Sequence, residues 1–109
     1  MTAAAILAAL ATTTTTATIE GYGEVAIRTM TVAERDQVAK AVDLTSKDTD
    51  QTEFGLQLVV RCVRDADGNA IFTADDLPAL RGCASGKVDA LVASVLKANG
   101  YLKDADAKN

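Results

Sequence analysis

The stretch that decides the fold is Gln51-Thr52-Glu53-Phe54-Gly55-Leu56-Gln57-Leu58-Val59-Val60-Arg61-Cys62-Val63-Arg64-Asp65-Ala66-Asp67-Gly68-Asn69. Phe54, Leu58, Val59, Cys62 and Val63 fall at i, i+4, i+5, i+8 and i+9, which is one broad apolar stripe of a helix. Leu56 and Val60 lie off that stripe, so apolar side chains cover most of the circumference. A helix of this kind belongs at the centre of a small domain. Asp65 to Asn69 ends it, with Gly68-Asn69 supplying residues that accept a positive φ.

Downstream, Ile71-Phe72 precedes Thr73-Ala74-Asp75-Asp76, a helix start in which Thr73 caps and the acidic residues suit the positive end of the helix dipole. Pro78 conflicts with Thr73 as the cap. It is accommodated if Asp75 or Asp76 is the cap, because the first turn has no N–H bond to lose. This short helix ends near Gly82. Ser85 is the expected cap of a last helix, in which Val88, Leu91, Val92, Val95 and Leu96 keep helical spacing. Asn99-Gly100 closes it, with Gly100 at the left-handed position and Tyr101 or Leu102 folding back.

Upstream, Thr31-Val32-Ala33-Glu34 is a capping box, and Val38, Ala39 and Val42 continue a helix to about Asp43. Ser46 to Asp50 reads as a loop. Thr18-Ile19-Glu20 and Glu24-Val25-Ala26-Ile27-Arg28 alternate around Gly21-Tyr22-Gly23, a β-hairpin with Ile19, Val25 and Ile27 on one buried face. Residues 2–11 form a short Ala-rich helix, with Thr2 as its cap. The threonine run Thr12 to Thr16 stops it and is either a linker or an extended strand.

Composition narrows the functions. The chain has 109 residues, 49% of them hydrophobic and 4% aromatic, with no Trp and 21 alanines. Such a core is made of Ala, Leu and Val, and it favours close helix packing over a sandwich of large side chains. There is no His, which excludes a histidine-bearing triad, a Cys₂His₂ zinc site and a His general base. A net charge of −4 argues against duplex DNA or an anionic membrane as the main partner. Ala3 to Ala11 is too short to span a bilayer. It ends in a small-x-small pattern, but no basic residue precedes it as a secretory signal requires. Cys62 and Cys83 are expected to be free thiols.

Three constellations could carry chemistry. Asp65, Asp67, Asn69 and Asp76 occupy positions 1, 3, 5 and 12 of a calcium-loop pattern, but Gly68 stands at position 4 where the pattern wants Gly at 6. The alternative, a connector rich in turn formers, explains the same residues. The helices flanking Gly82 superficially form a helix–turn–helix that offers Lys87, Asp89, Ser94 and Lys97 to a groove, a thin set on an acidic chain. Cys83, near Arg81 and Lys87, is the more reactive thiol but has no base beside it, and no Walker-type loop is present. The chain is therefore expected to be no enzyme and to need no cofactor.

The order of these pieces resembles the tail assembly chaperones of long-tailed bacteriophages. The resemblance runs over roughly residues 19–102. It is carried by Met30-Thr31-Val32-Ala33-Glu34-Arg35-Asp36 at a helix start, by Val59 to Asn69, and by Ile71-Phe72-Thr73-Ala74-Asp75-Asp76-Leu77-Pro78-Ala79-Leu80. The strongest piece has the form D-x-D-G-x-x-I-F-T-x-x-D, Asp65 to Asp76. The resemblance implies a non-enzymatic protein of the host cytoplasm that binds the helical tape measure protein during tail assembly and is absent from the finished virion. It also implies a frameshifted longer form that recruits tail tube protein. Lys108-Asn109 is compatible with a slippery heptamer. The alternative is a minor structural component of a tail or head–tail connector. A regulatory nucleic-acid or calcium module is a more distant third.

The expected fold is mostly α, a small helical domain of about four helices with a short N-terminal β-hairpin. Residues 1–16 are an Ala/Thr-rich segment, 17–103 the helical chaperone domain with its hairpin at 18–29, and 104–109 a flexible tail. A chaperone of an apolar helix must expose apolar surface, then hide it by self-association or binding. That surface is expected at Val25, Ile27, Leu56 and Val60, unless the four are ordinary core. The expected partners are the tape measure protein, tail tube protein and further copies of the chain, with no nucleic acid and no membrane.

Overall fold

A computed structural model describes residues 2–42 and 51–101. In chain order the elements are α1 (Ala3–Ala9), β1 (Thr14–Ile19), β2 (Gly23–Arg28), α2 (Val32–Ala41), α3 (Gln51–Cys62), β3 (Val63–Arg64), a 3₁₀ turn (Ala74–Asp76), α4 (Leu77–Arg81) and α5 (Ser85–Ala98). The expectation of about four helices with a two-stranded hairpin is thus corrected. The described residues form five α-helices and a three-stranded antiparallel sheet in the order β1-β2-β3. The reason lies at the end of α3. Val63 continues the helical stripe by spacing, but the chain leaves the helix there and pairs Val63 with Ile27 and Arg64 with Ala26. Two residues of strand are too few for a periodicity to show.

The hairpin is also longer than 18–29 suggested. Thr14 pairs with Arg28 and Ile19 with Gly23, so three residues of the threonine run are strand. β-branched side chains that disfavour a helix fit a pleated surface, and the partner strand decides between linker and strand. Gly21 and Gly23 take φ of 85° and 128°, which closes the turn. The register puts Thr15, Ala17 and Ile19 on the same face as Val25 and Ile27. This face meets the helices.

The core joins that face to α3, whose Leu56, Leu58, Val59 and Cys62 are almost wholly buried, and to Val38, Val63, Leu80 and Val95. The central place expected for α3 is what the structure has. α5 lies close along it, at Gly55. At its far end α5 closes as the spacing predicts. Gly100 has φ 83°, its N–H donates to Lys97 C=O, and Tyr101 N–H donates to Leu96 C=O at 2.9 Å. The Tyr101 ring then packs edge-on against Phe54, 5.5 Å between centroids.

Two caps depart from expectation. Ser85 is the first residue of α5 and provides no side-chain cap. The conflict at Pro78 is resolved by two successive starts. Thr73 Oγ1 accepts from Asp75 N–H and Thr73 N–H donates to Asp76 Oδ2, which caps the 3₁₀ turn, and α4 begins afresh at Leu77 with Pro78 in its first turn. The expected loop at Ser46–Asp50 and the expected tail at 104–109 lie outside the described residues.

Candidate interaction surface

Val25, Ile27, Leu56 and Val60 are not surface. Their exposures are 6%, 1%, 1% and 8%, and all four belong to the one core cluster. The off-stripe positions of α3 are covered because α2, α4 and α5 pack around the helix and its buried side chains share one core with Val25 and Ile27 of the sheet. A stripe argument assumes a one-sided helix, and this one has no free side in its C-terminal half. As an exposed apolar surface this expectation is therefore corrected.

The apolar surface lies elsewhere. Thr2 Oγ1 accepts the Ala5 N–H and starts α1, as its position suggests, but no residue of α1 is buried. Ile6, Leu7 and Leu10 are 47%, 67% and 73% exposed. Tyr22 at the hairpin tip is also exposed. The available signal for α1 was negative. Ala3 to Ala11 is apolar on every side with no stripe, and a short helix without a polar face has no side to turn to water.

A shallow groove of about 430 Å³ opens where the end of β1 meets the start of α5. Ile19 and Leu91 give it apolar walls. Ala84, Gly86 and Ala90 leave it open because their side chains are small, and Lys87 stands at its edge.

The outer face of the sheet is polar. Arg28 and Arg64 both reach Glu34, Arg28 at 2.6 Å through Oε2 and Arg64 at 3.5 Å. Glu34 also completes the capping box, accepting Thr31 N–H at 2.9 Å while its own N–H donates to Thr31 Oγ1. Burial pushes the Glu34 carboxyl up, but the Thr31 N–H and the Arg28 guanidinium outweigh it and hold the pKa below the ordinary glutamate value. Thus one carboxylate fixes α2 to the sheet.

A second polar knot ties the two chain halves together. Asn99 Oδ1 accepts Met30 N–H at 2.8 Å, and Asn99 Nδ2 donates to Val95 C=O and lies 3.6 Å from Cys62 Sγ. Burial raises the Cys62 thiol pKa, against the bond from Asn99, so this sulfur is a packed side chain and no nucleophile. Cys83 is exposed, and its thiol donates to Ala79 C=O.

Two of the calcium-loop side chains, those of Asp65 and Asp76, are engaged in local turn and cap bonds. Asp65 Oδ1 accepts the N–H groups of Asp67 and Asn69, both at 2.9 Å, and Asp76 caps Thr73. Gly68 turns the chain at φ 86°. Among the described residues no group of three His, Cys, Asp or Glu side chains could hold a metal ion. Of the four side chains offered to a nucleic-acid groove, Lys87, Asp89 and Lys97 are exposed on α5, while Ser94 turns back to Ala90 C=O. No described helix is long and apolar enough to cross a membrane. Compared with protein-family models, curated proteins and solved structures, the chain matches none.

Proposed function

We propose that the chain is a tail assembly chaperone of a long-tailed bacteriophage, non-enzymatic, acting in the host cytoplasm by holding the tape measure protein while the tail is built. The observation that carries the reading is the motif run from Asp65 to Asp76, set behind a Thr31–Glu34 capping box in the order the resemblance requires. In support, α1 of a single chain leaves its apolar side chains uncovered, as suits a protein that hides apolar surface by self-association or by binding a partner. In this role the chain self-associates, and a longer frameshifted form brings in tail tube protein. The test is co-expression with the large reading frame expected directly downstream, together with mass spectrometry of purified virions. Co-purification of the two chains, with this one missing from virions, supports the reading. A chain found at structural stoichiometry in virions makes it a tail component and overturns the chaperone role.

A further inference from the structure

β1 is an edge strand. Among the described residues it pairs only with β2. Thr29 N–H donates to Thr13 C=O in the same register that pairs Thr14 with Arg28. In an antiparallel ladder the directly bonded residues alternate. Thr13, Thr15, Ala17 and Ile19 therefore face β2, and the N–H and C=O groups of Thr14, Thr16 and Thr18 point out of the sheet. Natural edges are guarded by Lys, Pro or a bulge. β1 has none of these, and its register with β2 is continuous.

We propose that this edge binds a second copy of the chain, β1 against β1 in antiparallel register about a twofold axis at Thr16, with α1 of each copy seated in the β1–α5 groove of the other. The sequence of the edge favours a copy of itself. An axis normal to the sheet at Thr16 opposes Thr14 to Thr18 and Thr15 to Ala17, so the core-facing side chains of both copies stay on one side. The outward N–H and C=O groups of Thr14, Thr16 and Thr18 then meet each other in bonded pairs. No charge lies between Thr2 and Ile19, and the first, Glu20, falls opposite Thr12. Two copies of an acidic chain therefore meet through a segment where like charges are not opposed.

The reach of the chain adds a second contact. This register brings Thr13 of one copy beside Ile19 of the other, and Ile19 lines the groove. The link from Leu10 to Thr13 spans at most about 10 Å. α1 is thereby delivered to the small-residue groove at Ala84, Gly86 and Ala90, where Ile6 and Leu10 meet Ile19 and Leu91. An apolar helix with no buried residue among the described residues gains a seat on the neighbour, by an isologous contact that closes on itself. The pairing depends on this edge and this groove alone, whatever larger partner the chain has.

The test measures solution mass by sedimentation velocity for the wild type, Thr16→Pro and Leu10→Asp. Thr16→Pro removes an N–H that points outward, so the β1–β2 ladder keeps its bonds. The wild type is expected at twice the chain mass at micromolar concentration. Each variant should raise the dissociation constant at least tenfold with an unchanged circular dichroism spectrum. In a Cys83→Ser background, Thr16→Cys should form an intermolecular disulfide on mild oxidation, since directly bonded antiparallel pairs place their Cα atoms about 5.5 Å apart, while Glu24→Cys should not. A monomeric wild type, or a dimer indifferent to both Thr16→Pro and Leu10→Asp, overturns the proposal. Should Thr16→Pro fail to fold, the cysteine pair decides.

Discussion

Gly55 stands within α3, where a glycine costs about 1 kcal/mol of helix propensity relative to alanine. A Cβ built there would lie 2.7 Å from Val92 Cγ1 and 3.3 Å from Cγ2, with Val92 Cβ at 3.6 Å. Both methyls face the added carbon, and a helical valine has one strongly preferred χ1, so rotation exchanges one clash for another. Relief requires α5 to shift. Overpacking of this kind costs about 1–3 kcal/mol, against the gain of about 1 from propensity. Gly55→Ala is therefore expected to destabilise by about 1 kcal/mol, which lowers Tm by roughly 4 °C in a domain of this size. Val92→Ala removes two half-buried methyls and costs about 1 kcal/mol. In the double variant the clash is gone and the propensity gain remains, so its stability should return close to that of the wild type. The cycle then has a coupling of about 2 kcal/mol. Urea unfolding followed by circular dichroism, with the thiols kept reduced, measures all four corners. If the single effects add within about 0.5 kcal/mol, Gly55 is not there to admit Val92, and the account of the α3–α5 contact is wrong.

Three further outcomes follow from the polar contacts. Asn99→Ala leaves the Met30 N–H without its acceptor and should cost about 2 kcal/mol in urea unfolding, whereas Asn99→Asp keeps the acceptor but sets a carboxylate at a helix C-terminus and should lie between. Glu34 has a folded pKa below its unfolded one, so its contribution is present above the ordinary glutamate pKa and fades as pH falls through the folded value. The difference in urea midpoint between wild type and Glu34→Gln should accordingly shrink as the pH falls below about 5. A difference that grows towards acid would mean the carboxylate is not stabilised by Arg28 and Thr31. In a thiol assay on the folded protein, Cys83 should react promptly and Cys62 only after denaturant is added, because Cys62 is fully buried with a raised pKa.

Much of the local chemistry was legible from residue spacing. The Thr31–Glu34 capping box, the left-handed Gly100 and the turn at Gly68 depend on residues within a turn of one another, and the central place of α3 follows from apolar side chains over most of its circumference. What was not legible depends on partners far along the chain. β3 exists because Val63 finds Ile27, and Asn99, which reads as a helix stop, also serves Met30 across 69 positions. Leu56 and Val60 illustrate the same limit. A period gives the angle of a side chain about its helix, but how many neighbours surround the helix is a property of the assembled core.

The N-terminal segment shows how composition and topology act together. Residues 2–19 carry no charge, while every charged side chain of an acidic protein lies beyond them. By composition the threonines suit a linker as well as a strand. β2 decides the matter, because its inner face needs a neighbour over Val25 and Ile27, and Ala17 and Thr15 supply it. Once β1 is fixed, the choice passes to its other edge and to α1. α1, which contributes nothing to the described core, is both apolar and uncharged, a combination that is costly in water and suits contact with another surface. The body has enough charge elsewhere to guard that edge with one lysine, and it does not. On this argument a single Thr16→Lys substitution, which sets like charges face to face at the proposed axis and touches nothing in the monomer core, should leave the urea midpoint of dilute protein unchanged and abolish the dimer. A loss of stability at dilution would instead show that the outer face of β1 already serves the monomer.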